Sequence, residues 1–499
     1  MRSMARHFGI AMCLHEKDLR PGACGTRLLG IAHAWQAPTG YPASPNWQVS
    51  QTLEGVVISP WRTMSTTAIQ PIVTKAARRL MPFLGLLFLL SFLDRANVSF
   101  AALGMNQDLG FTPTVYALGV GFFFFGYVLF EVPSNMMIEK IGARRWIAPL
   151  TIAWGCVAML MAFIHSANSF FALRFLLGMA EAGLLPGLFL YLTYWFPAEY
   201  RGRMSAFIMA AMPVALIISG PVSGAILGIE SLHGLAGLKN WQWMFILEGL
   251  PTLLAGLAVY RLMPDRPRDA AWLRPDEAQA LEDALARENQ QATPQHRSSL
   301  RDGLLSTPVI FLSLAYFGGL IGSFGIIFWV PQIVRGFGAS TLQTGFISAI
   351  PFIVALVAII TLGRYVDRTG RRFPVAIAGL LAGALGLWLA GHTTDPVLAI
   401  AALSLGAAGI MGSTGGFWTL PQLYLKGSAI AGAFAMINSV GALGGFVGPY
   451  IIGWAKENSG GFGLGLTLLS LGPLAAAGLV ALLGVVRRPH PTAARATTA

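Results

Sequence analysis

The chain has 499 residues, 55% of them hydrophobic and 11% charged, with a mean hydropathy of +0.62 and a net charge of +12. Soluble domains carry about 25% charged residues, so this composition excludes an ordinary soluble protein and implies that most of the surface faces lipid. The basic excess then bears on orientation in a bilayer rather than on nucleic acid, and Cys13, Cys24 and Cys156 show no metal or redox spacing.

Residues 1–63 hold Trp35, Trp47, Trp61 and several prolines but no spanning run. They lack the charged start, apolar stretch and cleavage site of a signal peptide. Residues 1–70 are therefore expected to be an N-terminal extension. The basic run MSTTAIQPIVTKAARRL suggests that translation starts at Met64.

Twelve apolar segments of spanning length follow, at about 20 residues each. Their expected limits are 81–103, 115–138, 146–164, 169–191, 204–228, 242–262, 308–333, 343–364, 374–391, 396–421, 428–453 and 463–486. Only helices or closed barrels satisfy their backbone in lipid, and runs this long are helices. The fold expected is an all-α membrane protein of two six-helix halves, 71–263 and 308–486, with a polar linker at 264–307 and a tail at 487–499. Short connections make sequential helices antiparallel neighbours.

Lys and Arg set the orientation. Loops on the side of the linker and termini hold Lys140, Arg144, Arg145, Arg201, Arg203, Arg364, Arg368, Arg371, Arg372 and Lys426, besides the arginines of the linker. The opposite loops hold Lys239, Arg335 and Lys456. Positive residues gather on the cytoplasmic side, so both termini and the linker are expected there.

An internal repeat joins the halves. Glu139, Lys140 and Gly142 match Asp367, Arg368 and Gly370 at an offset of 228 residues. The same offset links Gly178 to Gly406 and Gly220-Pro221 to Gly448-Pro449. In the loop motif the acid lies near a helix end, the glycine permits a tight turn, and the basic residues pair with neighbouring helix ends. Repeat-built transporters bind substrate where such halves meet.

Four ionisable residues stand deep in the first half: Asp94 and Arg95 in the first span, Arg174 and Glu181 in the fourth. Charges at that depth are expensive and mark functional sites. Asp94 and Arg95 point about 100° apart and need different partners. The expected arrangement has Asp94 reaching the fourth-span charges and Arg95 facing a central cavity. Arg174 and Glu181 lie on nearly one face, with Gly178 between them leaving room for a ligand or a helix. The repeat places Gly322, Ser323, Ala402 and Gly409 at the equivalent second-half positions, so the charges serve this protein's own task. Glu131 and Glu248, near a helix end or beside Pro or Gly, read as structural. Phe417, Trp418, Phe324 and Trp329 are candidate lining for an aromatic acid.

The paired loops and the glycine-proline of the fifth span resemble the major facilitator superfamily. SFLDRANVSFAAL, FEVPSNMMIEKIGARRWI, LRFLLGMAEAGLLPGLFLYLTYWFP, NWQWMFILEGLPT and LMPDRPRDAAWL are similar to its anion:cation symporters, which carry organic acids with protons. The resemblance covers Arg78 to Arg488 and departs from the superfamily pattern at Asn135 and Ala143, where Gly and Arg are usual. It implies substrate binding by Arg95, Trp418 and Asn438, with Tyr127 as a further contact, and proton coupling by Asp94 and Glu181, tuned by Arg174. The function expected is import of an organic carboxylate by proton symport in a bacterial inner membrane, by a monomer without cofactor or metal. The alternatives are a sugar or drug carrier of the same superfamily, or a membrane receptor or enzyme. No zinc cluster, nucleophile elbow or phosphate loop stands in context.

Overall fold

The structure is a computed structural model that describes residues 69–291, 306–425 and 428–486. The expectations for residues 1–68, including a start at Met64, and those for Lys426 and the tail lie outside the described residues. All described residues fall in one compact unit, Thr63–Ala499.

Among the described residues every regular element is a helix. The first half comprises α1 (Gln70–Leu109), α2 (Pro113–Ile141), α3 (Ala143–Leu160), α4 (Ala167–Glu181), α5 (Leu184–Trp195), α6 (Ala198–Leu227) and α7 (Asn240–Leu262). A linker helix α8 (Pro275–Gln291) follows. The second half comprises α9 (Thr307–Gly336), α10 (Thr341–Thr369), α11 (Arg372–Gly391), α12 (Pro396–Phe417), α13 (Pro421–Tyr424), α14 (Ser428–Ala442), α15 (Gly444–Ser459) and α16 (Gly463–Val486). Twelve spans are long and apolar enough to cross a membrane. Three consist of two helices each: α4 with α5, α12 with α13, and α14 with α15.

The first span is longer than its apolar core. It begins at Gln70, with Pro71 in the first turn, where a missing N–H costs nothing. It ends at Gly110 in the left-handed conformation, φ +66°. The repeated loop glycines have positive φ as well, +92° at Gly142 and +66° at Gly370, which L side chains adopt at a cost. Arg144 donates to the carbonyl of Tyr260 near the end of α7. The loop basic residue thus satisfies a helix C-terminus, as its motif suggested.

Helix packing departs from chain order. The closest partners in the first half are α3 with α7, α2 with α4, and α1 with α6 and α7. Of the sequential pairs, α11 and α12 pack most extensively. Short loops force antiparallel direction, but small residues decide which faces meet. A Cβ on Gly155 would lie 2.6 Å from Leu253 N of α7. One on Gly386 would lie 2.3 Å from Gly406 N.

The linker is folded onto the first half. Tyr191 donates to the Pro264 carbonyl at 2.8 Å, Trp195 stacks on Trp272 at 5.4 Å, and Lys75 of α1 pairs with Glu277 of α8 at 2.6 Å. Arg201 pairs with Glu288 at 3.1 Å.

The halves meet along two seams. Gly220 and Gly224 of α6 press on Gly345 of α10, where an added Cβ on Gly220 would lie 2.3 Å from the Gly345 carbonyl oxygen. The start of α2 packs on α15: Glu457 accepts from Thr114 N at 3.0 Å. Tyr116 donates to the Phe328 carbonyl of α9 at 3.0 Å.

Candidate functional site

The first span carries two polar faces, and each goes to a different place. Ser91 and Arg95, four residues apart, share one face. Arg95 donates through an Nη to Glu181 Oε2 at 2.8 Å, and Ser91 Oγ donates to the same oxygen at 3.2 Å. The guanidinium lies over the rings of Phe92, Phe123 and Tyr127 at 4.6, 4.8 and 5.3 Å. Such stacking suits arginine, whose planar, weakly hydrated charge rests on aromatic faces.

Asp94 and Asn97 share the other face. Asp94 Oδ2 accepts from Trp154 Nε1 of α3 at 2.7 Å and from Thr252 Oγ1 of α7 at 2.6 Å. This corrects the expectation that Asp94 reaches the fourth-span charges: its hydrogen bonds go to the third and sixth spans. The divergence of adjacent helical residues sends Arg95, not Asp94, to Glu181.

Glu181 is the last residue of α4, just before the break at Ala182-Gly183. Its Oε1 has no hydrogen-bond partner, and neither has Arg95 Nε. The ion pair is therefore made on one side only. Arg174, seven residues earlier, is 1% exposed and lies 4.9 Å above the Phe123 ring. Its Nε and one Nη are unpartnered, while Glu181, Tyr116 and Arg95 lie within electrostatic reach. The room left by Gly178 is filled by a helix: an added Cβ would lie 1.9 Å from the Phe123 carbonyl oxygen of α2.

The four charges are enclosed rather than open to a vestibule. Asp94, Arg174 and Glu181 are each 1% exposed, whereas Arg95 keeps 8%. Arg95 is thus the member of the set with residual access.

The second-half candidates lie across from this group. Trp418, at the end of α12, stacks on Phe434 at 5.3 Å and meets Tyr316 edge-on at 4.8 Å. Tyr127, under the Arg95 guanidinium, also lies within electrostatic reach of Tyr316. Asn438 is occupied: its Nδ2 donates to Glu131 Oε1 of α2 at 2.8 Å, and Ser439 Oγ donates to Glu131 Oε2 at 2.8 Å. Glu131 reads as structural from sequence, yet here it holds two second-half donors across the interface. No local signal pairs residues 307 positions apart. Trp329 and Phe324 are packing residues. Trp329 donates to the Pro449 carbonyl at 3.1 Å, and Phe324 lies 4.5 Å from Phe124.

Comparison with known proteins agrees with this architecture. The family model described as Major Facilitator Superfamily matches residues 84–449. A protein of Agrobacterium vitis described as "Putative tartrate transporter" is 44% identical over 429 residues, covering 86% of this chain and 94% of that one. A "Quinolone resistance transporter" of Acinetobacter baumannii is 38% identical over 394 residues, covering 79% and 90%. The solved structure of a bacterial homologue of the human lysosomal transporter Spinster superposes with a TM-score of 0.67 at 16% identity, covering 82% of this chain and 96% of that one. These matches are to transporters, not enzymes, and they bear out the resemblance drawn from the motifs. The chain is a multi-pass integral membrane transporter and belongs to the major facilitator superfamily.

Proposed function

We propose that the protein imports an organic carboxylate by proton symport, through alternating access of its two halves. The half-made Arg95–Glu181 pair carries this reading. A structural ion lock would satisfy both partners, because a buried charge with idle polar groups costs stability. Here a guanidinium with residual access rests on three aromatic rings and spends one contact on a carboxylate of its own chain. A substrate carboxylate offers the same chemistry in a bidentate form.

The cycle follows from competition. Protonation of Glu181 releases Arg95, and the substrate anion takes its place. Tyr127 and Trp418 line the approach, and Asn438 and Ser439 turn from Glu131 to substrate oxygens as the halves close. Asp94, on the opposite face of α1, is a second proton-coupling carboxyl, and Arg174 biases Glu181. The relatives described as tartrate transporters support a small dicarboxylate or hydroxy acid as substrate. The basic loops support termini and linker on the cytoplasmic side of a bacterial inner membrane, and the protein works as a monomer.

The quinolone-resistance relative favours one second reading, export of a drug against protons. Flux direction separates the two. Purified protein in proteoliposomes with an inward proton gradient should accumulate labelled tartrate, or another acid that raises its melting temperature in a carboxylic-acid panel. Uptake that ignores the gradient, or net extrusion from preloaded vesicles under it, overturns import by symport.

A further inference from the structure

We infer that Asp94 and Glu248 form a coupled carboxyl pair that holds a proton of its own, apart from the one exchanged at Arg95–Glu181. Glu248 lies on α7, four residues before Thr252 and so on the same face. Thr252 donates to Asp94, which places Glu248 one turn from that contact. Both acids are buried, at 1% exposure for Asp94 and 3% for Glu248.

Each carboxyl is satisfied at one oxygen and idle at the other. Asp94 Oδ2 accepts from Trp154 and Thr252, while Oδ1 has no partner. Glu248 Oε1 accepts from Ser223 Oγ of α6 at 2.7 Å, while Oε2 has no partner. Asn97 of α1, 1% exposed, is the amide side chain beside Glu248.

No ion pair within 4 Å among the described residues involves either acid. Arg95, adjacent in sequence to Asp94, is turned to Glu181. The groups facing the pair from the packed helices are Trp154 of α3, Ser223 of α6, Asn97 of α1 and Thr252 of α7. Glu181 of α4 is the further charge within reach of Asp94. All of these are neutral or acidic.

Two ionised carboxylates cannot share such a site. Each would lack a counter-ion in a buried site, where an uncompensated charge is costly, and each would repel the other. One proton relieves both costs, and carboxyls that interact titrate as a pair. The idle oxygens are where the proton resides. Glu248 is therefore a proton-holding residue rather than a helix-end acid. Its use in transport rests on the proposed symport, but the proton itself does not.

Infrared spectroscopy of purified protein reads the proton directly. In wild type at neutral pH, the carbonyl stretch of a protonated buried carboxyl should be present. It should weaken in Glu248→Gln and shift in frequency in Ser223→Ala, which keeps the acid and removes its donor. The pH at which the Glu248 band fades should move in Asp94→Asn and stay in Glu131→Gln. A band identical in wild type, Glu248→Gln and Ser223→Ala overturns the pair, as does fading of the Glu248 band unmoved by Asp94→Asn. Should wild-type vesicles move no carboxylate, the symport reading fails and the infrared result still decides the pair.

Discussion

The two halves share a fold and divide the chemistry. The buried charged residues Asp94, Arg95, Glu131, Arg174, Glu181 and Glu248 all lie on α1 to α7. Among the described residues of the second half, the buried polar side chains are hydroxyls, such as Ser313, Ser323, Thr344, Ser348 and Ser413. The positions equivalent to the charges are tightly packed there. A Cβ on Gly322 would lie 2.7 Å from Ile410, and one on Gly409 2.4 Å from Gly383 N. Duplication supplied the scaffold, and the ionic site was built on one copy. The other copy presents an amide, Asn438, to Glu131 across the interface.

The largest effect should come from copying the charge across. Ser323→Arg sets a guanidinium at the position equivalent to Arg95 without a Glu181 beside it. An arginine at mid-membrane costs about 3 kcal/mol or more, so the variant should fail to yield monodisperse protein by size-exclusion chromatography. Normal yield would mean that the second half has hidden room for charge.

Next is Arg95→Lys. An ammonium keeps the charge but loses the planar fork and its stacking on Phe92, Phe123 and Tyr127. Carboxylate affinity should fall at least tenfold, equivalent to about 1.4 kcal/mol, as measured by titration calorimetry. Unchanged affinity would remove Arg95 from the binding site.

A smaller change is expected at the contact between halves. Glu131→Ala leaves the half-buried Asn438 and Ser439 without their acceptor, at about 1 kcal/mol per lost hydrogen bond. Transport rate should change several-fold, while affinity for the acid that gives the largest thermal shift changes less. Equal loss of both would place Glu131 in the binding site itself.

The smallest effect concerns the linker. The Lys75 ammonium beside Glu277, with the Arg274 backbone N–H, holds that surface carboxyl below the usual range. A depressed folded value stabilises the docked linker above the unfolded carboxylate range and loses that contribution as pH falls through it. The melting-temperature difference between wild type and Glu277→Gln should be small at neutral pH and vanish in acid. A constant difference across that range would exclude ionisation as its source.

The spans were legible because apolar runs in lipid leave few options: all twelve appear where hydropathy placed them. Gly142 and Gly370 were legible too, since a repeated acid-glycine spacing reflects one turn geometry used twice. The split between Asp94 and Arg95 followed from helical angle alone. Their partners did not. Trp154 and Thr252 look like ordinary members of apolar segments, and only tertiary packing brings them to Asp94. Arg95 was expected to face a central cavity, but the angle that separates it from Asp94 brings it to Glu181. Packing order was misjudged for a related reason. Loop length constrains direction, whereas contact faces are chosen by small residues such as Gly155 and Gly386.

In the proposed cycle Arg95 exchanges an internal carboxylate for a substrate carboxylate when a proton arrives. The most direct test loads proteoliposomes with a pH-sensitive dye and adds the acid that gives the largest thermal shift. Wild type should acidify the lumen as substrate enters. Asp94→Asn and Glu181→Gln should lose acidification and accumulation while keeping counterflow exchange. Accumulation against a gradient by both variants, or wild-type uptake with no proton movement, would contradict the account.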